Sequence, residues 1–318
     1  MLAAGPARII YDTDMGNDVD DAFGLALLHA FENRHEAKLL AVTISKDNRW
    51  AAPFVDLMNT FYGRPGIPIA IVIDGKTKAD GSYTKATVER KAPDSSPLYP
   101  RRITEKSTVE DAAVLLRKVL AAEQDGEVTV VQVGFSTNLA RLLDSPPDVY
   151  SPLGGRELAA RKVKLAVLMA GRFNAREREY NIEQDLASAR KFFAEWPTPI
   201  VTSGFEIGAT IQYDPENIDT DFTYVENHPL ADAYRFYRKM PYKEPLWDPS
   251  AVLYAVRPGT RYFGLSPNGK IQVDEKAVTT LAEDPQGKHN YLAVDDVQRA
   301  RVKEAIINLV SEPPAARR

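Results

Sequence analysis

Six short apolar runs that do not alternate with polar residues constrain this chain more than any other feature: Ala7–Tyr11, Lys38–Ile44, Ile67–Val72, Val128–Val133, Lys164–Met169 and Pro199–Thr202. A strand solvated on one face alternates apolar with polar residues, whereas a strand buried on both faces does not. Stretches of helical character separate the runs, at Ala22–Phe31, Ala51–Tyr62, Val109–Glu123, Asn138–Leu143 and Leu186–Trp196. The order strand, loop, helix therefore repeats, and predicts an α/β fold with a mainly parallel, Rossmann-like open sheet flanked by helices. Further on, helices are expected at Asp232–Arg238 and Asp248–Val256, and hairpin-like strands between Tyr262 and Asp274. The polar stretch Asp74–Pro100 reads as a long surface excursion. No repeat or low-complexity linker interrupts the 318 residues, so one domain spanning 1–318 is expected.

Composition removes several classes of function. With 40 basic against 44 acidic side chains, the chain lacks the positive field that draws proteins to a nucleic-acid polymer. Arg101-Arg102 and Arg317-Arg318 are too short to supply one. The absence of cysteine excludes disulfides, thiolate metal sites and a cysteine nucleophile. No apolar run reaches the roughly 20 residues that cross a bilayer, so no membrane partner is expected. The start Leu2-Ala3-Ala4-Gly5-Pro6 is compatible with a native beginning or with the remnant of an export signal, which leaves the compartment open.

In a parallel sheet the ligand sits at the carboxyl ends of the strands. Here those ends are polar: the Asp12–Asp21 loop, Lys46-Asp47-Asn48, Ser136-Thr137-Asn138 and the loop Asn174–Asn181. The first, Asp12-Thr13-Asp14-Met15-Gly16-Asn17-Asp18-Val19-Asp20-Asp21, puts five carboxylates into ten residues. Gathered in one site they would repel by several kcal/mol unless protons or a cation compensate. Oxygen donors without sulfur or imidazole favour calcium or magnesium over zinc. A helix N-terminus decorated with acids explains one or two of these residues, not five.

An EF-hand requires glutamate at the twelfth loop position, which counted from Asp12 is Phe23. An Asp-x-Asp phosphatase would use Asp12 as nucleophile and Asp14 as acid, but leaves Asp18, Asp20 and Asp21 without a role. The stretch more closely resembles the Asp-Thr-Asp-x-Gly-x-Asp-Asp-Ala pattern of the inosine–uridine-preferring nucleoside hydrolases, with two extra residues between Gly16 and Asp20. Later segments are similar to that family in the same order: Gly134-Phe135-Ser136-Thr137-Asn138-Leu139-Ala140, Met169-Ala170-Gly171, Asn174…Glu179-Tyr180-Asn181-Ile182…Asp185 and Trp247-Asp248-Pro249-Ser250-Ala251.

The resemblance implies calcium-dependent hydrolysis of the N-glycosidic bond of a ribonucleoside by a dimer or tetramer. It implies Asp14 as general base and metal-proximal carboxylate, and Asp21, Asp248 and the Thr137 carbonyl as metal ligands. Asp20 would bind ribose hydroxyls at the ion, with Asp18 its rival because of the two extra residues. Asn48, Asn174, Glu179 and Asn181 are the candidates for further ribose contacts, and Met169 would pack on the sugar. Trp247 stands where many members carry a histidine that protonates the leaving base. An indole is no acid at neutral pH, so Trp247 is expected to stack on a base or to pack in the core, and His228 is the one histidine considered as a substitute acid. A calcium-dependent nucleoside- or sugar-binding protein without turnover is the non-enzymatic alternative, beside the phosphatase.

Overall fold

The computed structural model describes residues 5–315, so Leu2–Ala4 of the alanine-rich start and Arg317-Arg318 lie outside the described residues. From the N-terminus, β1 (Ala7–Thr13) leads into α1 (Asp20–Asn33), β2 (Ala37–Lys46) into α2 (Ala51–Phe61), and β3 (Ile69–Lys76) into α3 (Ser82–Val88). A two-residue β4 (Glu110–Asp111) precedes α4 (Ala112–Ala122); β5 (Val128–Gln132) is followed by α5 (Thr137–Asp144) and α6 (Gly155–Lys162). Next come β6 (Val163–Met169), α7 (Tyr180–Gln184), α8 (Leu186–Glu195), β7 (Ile200–Ser203) and α9 (Phe205–Thr210). The remainder comprises β8 (Gln212–Tyr213), α10 (Pro215–Thr220), α11 (Pro229–Tyr237), β9 (Glu244–Pro245), α12 (Trp247–Val256), β10 (Gly264–Leu265), β11 (Gly269–Val273), β12 (Thr279–Glu283), β13 (His289–Ala293) and α13 (Asp296–Val310).

The central sheet runs β12-β11-β13-β7-β6-β5-β1-β2-β3-β4. Every pairing from β4 across to β13 is parallel, and only β10, β11 and β12 join antiparallel. The expected mainly parallel sheet is therefore present. Neighbouring residues of one strand enter opposite cores. Ile9 and Tyr11 pack on one side and Ile10 on the other, as do Val131 and Val130, and Val167 and Leu168. Burial on both faces is why the runs do not alternate, and each such side chain contributes about 1.5–3 kcal/mol of transfer free energy.

The chain builds outward from β1 through β2 to β3, then returns to start β5 on the other side of β1. The loops after β1 and β5 consequently leave the sheet side by side at the point where strand order reverses, the place where open α/β sheets bind ligands. Gly134, just past β5, makes that adjacency possible. A Cβ there would lie 2.4 Å from Ser45 Oγ, 2.5 Å from the Asp14 nitrogen and 2.8 Å from the Thr13 carbonyl carbon.

Three expectations need correction. Asp74–Pro100 is not a surface excursion: it contains α3, whose Tyr83, Thr84, Thr87 and Val88 are buried. The helix is short and set in polar sequence, so the inward spacing of residues 83, 84, 87 and 88 gave too few turns to show. The helix expected from Val109 starts at Ala112, because Asp111 caps it by accepting the Ala113 and Val114 amides. The hairpin region continues into β12 and β13, and β13 adds a parallel strand beside β7.

Gly134→Ala is expected to destabilise the protein by about 1–3 kcal/mol, the usual cost of forcing extra volume into a packed site. Urea denaturation measures it, and an unchanged midpoint would mean that the two loops are free to part.

Candidate active site

Two helix N-termini converge over the carboxyl end of β1. Asp20 and Asp21 open α1, and Asp248 lies in the first turn of α12, which packs against α1. Carboxylates at helix N-termini are favoured by the unsatisfied amides there. One such amide is used directly: Asp248 N–H donates to Asp20 Oδ2 at 3.0 Å. Asp21 is fixed by the Thr13 hydroxyl, which donates to its Oδ1, and by the Tyr11 hydroxyl, which donates to its backbone carbonyl at 3.0 Å. Asp20, Asp21 and Asp248 each offer an oxygen within 4.8 Å of the others, and all three are buried.

These acids floor a cavity of about 390 Å³, lined also by Asp14, Asp18, Val133, Met169, Glu179, Tyr180, Asn181, Phe205 and Trp247. Among the described residues no lysine, arginine or histidine lines it. Burial first, and then the charge of neighbouring aspartates, Asp14 and Asp18 among them, pushes the Asp20, Asp21 and Asp248 carboxyls well above the usual carboxylate range. Asp14 rises to about 7, mainly from burial and the nearby Asp18, against hydrogen bonding by Asn17 and the charge of Lys46. A concave set of oxygens, short of positive charge, suits a hard divalent cation better than it suits itself.

The structure brings together Asp14, Asp18, Asp20, Asp21, Asp248, Met169, Glu179, Asn181 and Trp247 around this one space. Glu179 is buried and accepts the Gly171, Asn181 and Ile182 amides at 3.1, 2.9 and 3.2 Å, and burial raises its carboxyl to about 7. Asn181 Nδ2 ties the ends of β5 and β6 together, donating to the Val133 and Met169 carbonyls at 2.8 and 3.2 Å.

Asn48 and Asn174 are placed elsewhere, and Thr137 is engaged through its hydroxyl. Asn48 spends its amide on the Lys78 and Ala79 carbonyls and on Asp80 Oδ1, at 3.1, 3.2 and 3.0 Å. Asn174 borders a different groove, beside Phe173 and Tyr291. Thr137 is buried, and its hydroxyl donates to Asp185 Oδ2 at 2.6 Å.

Asp12, the nucleophile of an Asp-x-Asp phosphatase, is fully buried outside the cavity lining. Its Oδ1 is taken by Thr43 and by Asn138, each at 2.7 Å. A phosphate ester has no route to it. His228 is no substitute acid: it caps α11 among Phe61, Phe222 and Tyr224, away from the cavity, and burial lowers it to about 3. Trp247 lines the cavity but its Nε1–H is committed to the Phe205 carbonyl at 2.9 Å. Its ring stands 5.4 Å from that of Phe205 and rests on Gly208, where a Cβ would come within 2.3 Å of the indole.

Sequence reasoning missed Tyr180 and Phe205 as lining residues, and missed a shell behind the acids. Tyr83 Oη accepts the Gly16 amide at 2.8 Å and donates to the Asp18 carbonyl at 2.9 Å; Tyr237 donates to the Asp18 carboxylate. Asn17 and Lys46 stand behind Asp14. Tyr180 sat inside a quoted motif, but nothing local to Tyr83 or Tyr237 signals contact with residue 18.

Asp14→Asn offers a direct reading of the electrostatics. The Asp14 carboxyl is raised in the folded state to about 7, so its contribution to stability is present below its unfolded value near 4 and is lost as pH rises toward 7. Asparagine mimics the protonated form. In chelator-treated protein the variant is expected to match the wild type near pH 4 and to exceed it in Tm at pH 7.5. A lower Tm than the wild type at pH 7.5 would mean that the charges are already compensated.

Comparison with known proteins agrees with this geometry. The family model described as inosine-uridine preferring nucleoside hydrolase matches residues 9–304. The pyrimidine-specific ribonucleoside hydrolase RihA of Enterobacter sp. (strain 638) is 28% identical over 294 residues, covering 82% of this chain and 84% of that protein. Its counterpart in Klebsiella pneumoniae (subsp. pneumoniae, strain MGH 78578) is 26% identical, covering 82% and 85%. Among solved structures, a purine-preferring ribonucleoside hydrolase from Gardnerella vaginalis shares the fold with a TM-score of 0.73 at 18% identity, covering 96% and 98%. A plant nucleoside hydrolase does so with a TM-score of 0.69 at 20% identity, covering 98% and 100%. A match over nearly the whole chain, with the acids converging where the fold places its ligand, establishes that the chain belongs to the inosine-uridine preferring nucleoside hydrolase family, whose enzymes are hydrolases of N-glycosyl compounds.

Proposed function

We propose that this protein hydrolyses the N-glycosidic bond of ribonucleosides in a calcium-dependent reaction, with residues 1–318 acting as one domain in a dimer or tetramer. The observation that carries the reading is the triad Asp20, Asp21 and Asp248, whose oxygens meet within 4.8 Å in a cavity without a cationic side chain. Asp14, Asp18, Asp20, Asp21 and Asp248 are the carboxylates that would hold the ion, and family resemblance adds the Thr137 carbonyl. When bound, calcium supplies a chelating grip on the ribose 2′- and 3′-hydroxyls and a lowered pKa for the attacking water.

The protein's own groups perform the rest. Bond cleavage passes through an oxocarbenium-like sugar, so the site must hold ribose, deliver water to the anomeric carbon and accept the departing base. Asp14 receives the proton of the water as general base. The Glu179 carboxylate and Asn181 Oδ1 accept from sugar hydroxyls, the Asn181 NH₂ being held by the Val133 and Met169 carbonyls. Met169 packs on the ribose. Tyr180, Phe205 and Trp247 form an aromatic wall that excludes water and offers π-faces to a base.

Leaving-group activation has no histidine at this cavity. With its N–H on the Phe205 carbonyl, Trp247 acts through its ring, and stacking raises the basicity available for protonation of the base by solvent. The relatives' names divide between pyrimidine-specific and purine-preferring enzymes, so both classes belong in a substrate panel.

Incubation with calcium and purine and pyrimidine nucleosides is expected to release ribose. Chelator should abolish the release, and Asp14→Ala should lower kcat by about 10³-fold or more, the range of an essential general base with its metal contact. Calorimetric binding of nucleosides without ribose release from any of them would favour a binding protein over an enzyme. Trp247→Ala is expected to raise KM for the preferred nucleoside about 10-fold, the worth of one aromatic stack; an unchanged KM would make Trp247 a packing residue only.

A further inference from the structure

Lys46 ends β2 with its side chain only 3% exposed. Lysine is almost never buried to that extent without a carboxylate partner, yet among the described residues Lys46 makes no ion pair within 4.0 Å. Its ammonium instead donates to Asn17 Oδ1 at 2.7 Å and to the Thr77 carbonyl at 2.9 Å. Thr77 adopts φ 52°, a left-handed conformation unusual for a β-branched residue, so the carbonyl that receives the ammonium is held in a strained setting.

Lysine can only donate, so contact with Lys46 fixes which end of the Asn17 amide is oxygen. The NH₂ end is thereby aimed at Asp14, where Nδ2 donates to Oδ2 at 2.5 Å. The other oxygen, Asp14 Oδ1, accepts no hydrogen bond from the described residues. Asn17 lies in the stretch between Gly16 and Asp20 that is two residues longer than the family pattern. That extra length and the buried lysine are therefore parts of one arrangement.

We propose that Lys46 and Asn17 form a single positioning unit for Asp14: the lysine sets the amide, the amide claims one carboxylate oxygen, and the second oxygen is left for the water and ion. The unit rests on the functional reading above, in which Asp14 is the general base. Neither residue touches substrate. The charge-assisted chain Lys46–Asn17–Asp14 replaces what would otherwise be a carboxylate free to rotate among four neighbouring acids.

The test is a double-mutant cycle of Lys46→Met and Asn17→Ala, read by steady-state ribose release and by calorimetric calcium titration. Each single variant is expected to lower kcat about 10- to 100-fold, the worth of a hydrogen bond to a charged group, with KM changed by less than about 3-fold. The double variant should be no worse than the poorer single, and the apparent calcium Kd should follow the same non-additive pattern. Multiplying effects, or a rise in KM with kcat intact, would overturn the unit and leave Lys46 as an anchor for Thr77. Asn17→Asp keeps a partner for the lysine, removes the donor to Asp14 and sets a like charge beside it, so it should lose at least as much kcat as Asn17→Ala does even if Lys46→Met does not fold; full kcat in it would refute the proposal. Absence of ribose release by the wild type would instead sink the functional reading, and the calcium titration would then judge the unit alone.

Discussion

Buried like charge is the constraint around which this molecule is organised. Four carboxylates from one loop and one helix, Asp14, Asp18, Asp20 and Asp21, meet a fifth, Asp248, from a helix more than two hundred residues later, in a space with no cationic lining. At an effective dielectric near 20, pairs a few ångströms apart repel by several kcal/mol. A chain would not keep such a cluster for stability, and the surrounding fold spends many interactions to hold it. Two helix N-termini point their amides toward it, Thr13 and Tyr11 brace Asp21, and Tyr83 and Tyr237 brace Asp18. Stored repulsion of this kind is what gives an empty oxygen site its affinity for a hard cation.

The sheet explains why the cluster can exist at that place. Reversal of strand order between β1 and β5 opens a crevice at their carboxyl ends, and Gly134 lets the two loops approach to backbone contact. The acids enter from the loop after β1 and from the starts of α1 and α12, Met169 from the end of β6, Tyr180 and Asn181 from α7, and Phe205 and Trp247 from α9 and α12. One side of the crevice is thus lined by carboxylates, and the facing side is built of Tyr180, Phe205 and Trp247. In this chain that side carries the Trp247 indole, with its N–H held by the Phe205 carbonyl.

The same crevice also shows how a small change of loop length propagates. The stretch between Gly16 and Asp20, two residues longer than the family pattern, contains Asn17 and Asp18, and each meets partners from distant elements. Asn17 meets Lys46 of β2, and Asp18 meets Tyr83 of α3 and Tyr237 of α11. The segment 74–88 is in turn laced to the site by Lys46 on the Thr77 carbonyl and Asn48 on the turn at residues 78–80. Asn48 thus serves the wall of the site from behind and not its interior.

Sequence alone determined the parallel sheet, because burial on both strand faces leaves short unbroken apolar runs, and here they recur between stretches of helical character. It also singled out the Asp12–Asp21 loop, because so many like charges in one turn are intolerable without a compensating ion, and it linked Asp248 to that loop through the family pattern. Tertiary structure alone decided which polar residues face the cavity. Asn48 and Asn174 carry the right chemistry at the ends of the right elements, but their side chains are turned to other partners by a few ångströms of loop path that no local pattern records. The same holds for Lys46, Tyr83, Phe205 and Tyr237. Their roles depend on contacts between residues far apart in the chain, and such contacts are fixed by packing, after the periodicity of each element has been spent.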